Sequence, residues 1–134
     1  MCSILIVEDE IDLLEMISHE VSQLPFVTNI QVSSTLQNSL ALLRKYSFDL
    51  ILLDLNLPDS EGADTVESII VEFPESVILV MTGIPLDRPL LDRLCIAGAF
   101  SILNKVQLFQ SLLSDWISRA WSHKKALVLL GPRT

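Results

Sequence analysis

Five side chains with useful chemistry stand just after short apolar runs: Glu8 and Asp9 after residues 4 to 7, Asp54 closing the run from 50 to 53, Thr82 after 77 to 81, and Lys105 after 99 to 103. Carboxylates gathered in one place repel one another, so three acids sharing a site need protons, a cationic side chain or a metal ion. Hard oxygens in such a cluster suit Mg²⁺, which takes a few carboxylates and a carbonyl and leaves room for water and phosphate oxygens. A lysine supplies a point charge suited to phosphate, and a threonine hydroxyl can donate to a phosphoryl oxygen. Phosphoryl transfer depends mainly on positioning and charge neutralisation, and an Asp carboxylate can accept the group, which makes Asp54 the natural nucleophile. Each residue also has an ordinary reading by itself. Acids can complement a helix dipole, Asp54 near Pro58 and Gly62 or Thr82-Gly83 can make turns, and a lysine can be a surface charge.

These residues meet only if the runs that precede them are neighbouring strands. Apolar runs alternate with amphipathic segments five times: 4 to 7 then 11 to 24, 27 to 32 then 36 to 46, 50 to 53 then 63 to 73, 77 to 81 then 88 to 97, and 99 to 103 then 107 to 125. Parallel strands need crossover helices, and right-handed crossovers return the chain to the same sheet. The expected fold is therefore α/β, a doubly wound five-stranded parallel sheet with five helices. A strand covered on both faces reads as continuously apolar, as runs one, three and four do, whereas runs two and five carry polar residues and belong at the edges. The flavodoxin-like order 2-1-3-4-5 meets that condition and puts strands one and three side by side at the switch point, where ligands bind beyond the carboxyl ends. Ser34 with Gln37 reads as a capping box, Pro74 as the stop of helix three, and Pro89 as a first-turn residue of helix four.

Composition narrows the function classes. With 134 residues, 50% hydrophobic and 19% charged, the chain is one domain with enough apolar surface to fold. Its net charge of -8 is concentrated in residues 1 to 67, which hold twelve acids and two bases. That half repels phosphate backbones and anionic lipid and attracts divalent cations, which argues against direct nucleic-acid or membrane binding. Cys2 and Cys95 form no zinc or disulfide pattern and fit a reduced, cytoplasmic setting. Cys95 is expected to pack in helix four, and Cys2 has no evident role. The loop after the first strand is acidic, where a flavin or nucleotide binder would be rich in Gly, Ser or Thr.

The order and spacing of ILIVEDE (4 to 10), DLILLDLNLPDSEG (49 to 62), VILVMTG (77 to 83) and AGAFSILNK (97 to 105) resemble the receiver domain of two-component response regulators over about residues 4 to 125. The resemblance implies that Asp54 accepts a phosphoryl group from a phosphohistidine on a sensor histidine kinase or histidine phosphotransfer protein. It implies Mg²⁺ held by Glu8, Asp9, Asp54 and the backbone carbonyl of Asn56, with Glu8 acting directly or through water. Lys105 would pair with the phosphoryl group, and Thr82 would be the switch hydroxyl that draws the loop before helix four along. Such a phosphoprotein catalyses only its own phosphorylation and dephosphorylation, as a phosphorelay switch rather than a turnover enzyme. The family usually carries Tyr or Phe three positions before the lysine and Pro after it. Here Ile102 and Val106 stand instead, with Phe100 nearby as a partial substitute.

The resemblance also implies dimerisation through helix four, strand five and helix five, and an output domain downstream. Leu108, Phe109, Leu112, Leu113, Trp116, Ile117, Ala120 and Trp121 form the apolar stripe expected on the last helix. Residues 1 to 125 are expected to be the receiver domain, and 126 to 134 a C-terminal tail or the start of a linker. The rival from another class is a pseudo-receiver, a phosphorylation-independent protein-interaction module on the same fold.

Overall fold

The computed structural model describes residues 1–108 and 113–130. In chain order the elements are β1 (Cys2–Val7), α1 (Ile11–Ser22), β2 (Val27–Ser33), α2 (Leu36–Lys45), β3 (Leu50–Asp54), β4 (Asn56–Leu57), β5 (Ser60–Glu61), α3 (Ala63–Glu72), β6 (Ile78–Thr82), α4 (Arg88–Ala97), β7 (Ser101–Asn104), α5 (Lys105–Leu108) and α6 (Leu113–Leu130). The main sheet is parallel in the order β2-β1-β3-β6-β7, which is 2-1-3-4-5 when only its own strands are counted. The expected fold class and both edge strands are therefore observed.

Strand alternation sorts the core into two layers, because successive side chains point to opposite faces. Ile4, Ile6, Leu50, Leu52, Leu79 and Met81 pack with Ile17 of α1 and with Trp116 and Ile117 of α6. Leu5, Val7, Ile51, Leu53, Ile78 and Val80 pack with Leu40 of α2, Val66 and Ile69 of α3, and Leu94 of α4. β1, β3 and β6 are covered on both faces, which is why their sequences are continuously apolar. In β2 only Ser33 is buried and the other positions are half-buried or exposed, as an edge strand covered unevenly should be.

Several local expectations need correction or refinement. Thr35, not Ser34, caps α2: its hydroxyl accepts the Asn38 N–H at 3.1 Å. The Thr35 backbone is extended and one residue closer to the first helical turn, which is the geometry an N-cap side chain needs. Helix α3 ends at Glu72, before Pro74, and Pro89 sits in the first turn of α4 behind the capping carboxylate of Asp87. Cys95 is exposed rather than packed, and Cys2 is fully buried in the α1–α6 layer. The last helix runs to Leu130, and Leu113, Trp116, Ile117 and Ala120 of its stripe are buried. Phe109, Leu112 and residues 131 to 134 lie outside the described residues. The two-stranded hairpin β4–β5, between Asp54 and α3, was not anticipated. Among the described residues no helix is long and apolar enough to cross a membrane.

Candidate metal and phosphoryl site

Register alone brings the chemistry-bearing residues to one edge of the sheet. Val7 of β1 pairs with Leu53 of β3, so Glu8 and Asp54, each one residue further on, leave the sheet side by side. Asp54 pairs with Met81, which puts Thr82 one step beyond it on β6, and Thr82 pairs with Asn104, which puts Lys105 one step beyond β7.

The carboxylate oxygens of Glu8, Asp9 and Asp54 can lie within 4.8 Å of one another. Glu8 and Asp54 are buried and Asp9 is exposed, so the cluster is open to solvent on one side. The Lys105 ammonium bridges the two buried acids, 2.8 Å from Glu8 Oε1 and 3.3 Å from Asp54 Oδ2. Its stem passes Gly83, where an added Cβ would stand 3.7 Å from Lys105 Cδ. Lysine's long apolar stem thus lies over the β6–α4 loop while its charge reaches the acids.

Electrostatics follow from this burial. Desolvation, and then the adjacent Asp54 carboxyl, push the Glu8 pKa up, and Lys105 opposes them without cancelling them. Burial works against the Lys105 ammonium, yet Glu8 and Asp54 together outweigh it and leave the Lys105 pKa raised.

Glu8 Oε2 accepts the N–H groups of Asp9 and Glu10 at 3.0 and 3.3 Å. Among the described residues, Glu8 Oε1 has the ion pair with Lys105 and no directed hydrogen bond. A buried carboxylate oxygen left in that condition, beside two further acids, is the donor set a hard divalent cation takes. The residues present therefore fit a metal.

Asn56 donates its N–H to Asp54 Oδ1 at 3.2 Å, which ties the hairpin to the aspartate. Thr82 is fully buried, and its hydroxyl accepts the Ile84 N–H at 3.0 Å. Glu8, Asp9, Asp54 and Lys105 are thus directly assembled, Asn56 adjoins them through its backbone, and Thr82 occupies the next strand end with its hydroxyl engaged in its own loop. Ile102 is half-buried against the α2–α4 layer. Phe100 precedes β7 and faces His123 of α6, ring centroids 4.6 Å apart.

One residue of structural weight at this edge was missed in the sequence. Asp59, at the tip of the β4–β5 hairpin, accepts the N–H of Leu36 at 2.8 Å and of Gln37 at 3.0 Å. Its only sequence signal is an acid within the turn-forming run PDSEG.

Comparison with known proteins agrees with this geometry. The family model described as response regulator receiver domain matches residues 4–115. The chain is 30% identical over 106 residues to protein-glutamate methylesterase/protein-glutamine glutaminase 1 of Syntrophus aciditrophicus (strain SB), covering 78% of this chain and 30% of that protein. It is 31% identical over 106 residues to the transcriptional regulatory protein CitT of Bacillus subtilis (strain 168), covering 79% of this chain and 47% of that one. The chain thus spans less than half the length of either relative. A CheY-like response regulator receiver domain protein from Methanospirillum hungatei JF-1 superposes with a TM-score of 0.78 at 23% identity, over 95% of this chain and 99% of that one.

Proposed function

The chain belongs to the response regulator receiver domain family, and from that premise we propose that it is a Mg²⁺-dependent phosphorylation switch whose acceptor is Asp54 and whose donor is a phosphohistidine on a sensor histidine kinase or histidine phosphotransfer protein. The observation that carries this reading is the buried Asp54 carboxylate with Lys105 at 3.3 Å and Glu8 and Asp9 beside it.

An Asp54 carboxylate oxygen attacks phosphorus. The new O–P bond forms as the P–N bond to the donor imidazole breaks, and the imidazole nitrogen keeps that electron pair. Lys105 exchanges its contact with Asp54 for the incoming phosphoryl oxygens, whose negative charge its ammonium offsets. Glu8, Asp9, Asp54 and the Asn56 carbonyl would hold Mg²⁺, which would supply further neutralisation of charge on the transferring oxygens. The Thr82 hydroxyl gives up the Ile84 N–H and donates to the phosphoryl group, so the loop leading to α4 follows. Ile102 has no ring to swing, and the Phe100 ring is engaged with His123, so the loop and α4 carry the signal without an aromatic flip.

The cytoplasm, where kinase and reduced thiols occur together, is the setting this reading requires. Residues 1 to 125 act as the receiver, and the end of α6 and the tail connect it to an output; greater length in both curated relatives supports that arrangement. A homodimer through α4, β7 and α6 is the assembly proposed for the phosphorylated state.

The rival pseudo-receiver draws on one feature: Lys105 is ion-paired with both Glu8 and Asp54. Titrating the protein with beryllofluoride in Mg²⁺ and following backbone amides by NMR separates the two. A switch shows metal-dependent shifts at Asp54, Thr82 and Ile84. Amides indifferent to both additions would establish the pseudo-receiver instead.

A further inference from the structure

The hairpin β4–β5 holds Asn56 on one strand and Asp59 at the turn, with Asn56 opposite Glu61 and Leu57 opposite Ser60. Its base is fixed by the Asn56 N–H to Asp54 and by the Gly62 N–H, which donates to the Leu55 carbonyl at 2.8 Å. On the side facing α3, the Ser60 and Thr65 hydroxyls share a hydrogen bond of 2.6 Å. The tip is fixed on the other side by Asp59, whose two carboxylate oxygens accept the first two amides of α2.

The Asp59 bonds span more than twenty residues of sequence, and they complete the start of α2. Thr35 takes the third amide through its hydroxyl and the fourth through its carbonyl, at 3.1 Å each. A helix start short of acceptors and a turn carboxylate thus satisfy one another, since the first amides of a helix have no partner within it. The two amides also hold the Asp59 carboxyl below the usual carboxylate range.

We propose that Asp59 is a positioning residue for the divalent-cation site: by clamping the hairpin tip to the α2 N-terminus, it fixes the backbone of Asn56 relative to Asp54. This rests on the reading above that Asn56 and the three acids hold a metal. Asp59 itself lies three residues beyond Asn56 and touches α2 instead, so its influence on the metal is indirect. The apolar packing beneath the clamp is shared: Leu57 of the hairpin and Leu36 and Leu40 of α2 belong to the same buried layer. With the clamp intact, the oxygen donors are ordered before the ion arrives, and less ordering has to accompany binding.

The test compares Asp59→Ala, Asp59→Asn and Thr35→Ala with the wild type, using Mn²⁺ as the probe and counting free ion by electron paramagnetic resonance. Thr35→Ala weakens the same helix start without touching the hairpin, so it reports what mere destabilisation of α2 does. Asp59→Ala is expected to raise the Mn²⁺ dissociation constant about tenfold, the usual scale for residues that support a metal ligand. Asp59→Asn, which keeps one acceptor oxygen, falls between, and Thr35→Ala leaves the constant near the wild-type value. In the metal-free protein, hydrogen exchange at the Asn56 amide accelerates in Asp59→Ala and not in Thr35→Ala. Wild-type affinity in Asp59→Ala, or an equal loss in Thr35→Ala, would overturn the clamp alone. A wild-type chain that takes up no Mn²⁺ would overturn the metal reading and the clamp with it.

Discussion

Replacing Lys105 with methionine keeps most of the apolar stem and removes the ammonium that lies 2.8 Å from Glu8 and 3.3 Å from Asp54. With an effective dielectric constant of about 20, those separations correspond to roughly 6 and 5 kcal/mol of attraction before desolvation is counted. Taking the three groups out of water offsets much of that, and breaking a buried pair by removing one partner ordinarily costs about 3–5 kcal/mol. Glu8 limits the loss, because burial and Asp54 already raise its pKa and it can take a proton in place of the missing cation. The expected destabilisation of the metal-free protein near neutral pH is therefore about 3 kcal/mol, or on the order of 10 °C in melting temperature for a domain of this size.

The pH dependence has a definite sign. An acid with a raised folded-state pKa binds its proton more tightly in the folded protein, so stability falls as pH rises through that pKa. The raised pKa of Lys105 contributes stability that is complete below the ordinary lysine value and lost only as pH rises through the folded value, so it is fully present near neutrality. Mild acidification toward the Glu8 pKa should then narrow the gap between wild type and Lys105→Met. Saturating Mg²⁺ should stabilise the variant more than the wild type, since the ion replaces the lost charge. Thermal melts followed by circular dichroism, in chelator and in Mg²⁺, read all of this. A gap below about 1 kcal/mol, the range of exposed pairs, would refute the reasoning, and so would a gap that acid leaves unchanged.

Two further outcomes check the core. Burial, followed by the nearby Asp49 charge, pushes the Cys2 thiol up to about 12, so a thiol reagent near neutral pH should modify Cys95 in the native protein and reach Cys2 only on unfolding. Leu52→Ala empties a fully buried position between β1 and β6 in the α1–α6 layer and should cost about 3 kcal/mol in urea unfolding.

The order of the sheet was legible because the physics that orders it also writes the sequence. Ile4–Val7, Leu50–Leu53 and Ile78–Met81 have no polar residue to offer solvent, whereas Asn29 and Gln31 of β2 do. Once strands one and three are neighbours, the convergence of Glu8 and Asp54 follows from parallel register, and Lys105 follows from its place after the last strand. Contacts that depend on turn geometry were not legible. Ser34 is, if anything, the better cap by residue type, and only the backbone conformation picks Thr35. Nothing in the spacing between Leu36 and Asp59 announces that they bond, because the hairpin that carries Asp59 to α2 is two residues long on each side. The exposure of Cys95 was hidden for a related reason: its neighbours Leu94 and Ala97 are buried, and a helix rotates the residue between them to the outside.

Intact-protein mass after incubation with acetyl phosphate, with and without Mg²⁺ and with Asp54→Asn as control, tests the proposed switch most directly. A working receiver gains one phosphoryl adduct that needs the metal and is absent from the variant. An adduct of equal yield on Asp54→Asn, or none on the wild type in Mg²⁺, would contradict the assignment of Asp54 as the acceptor.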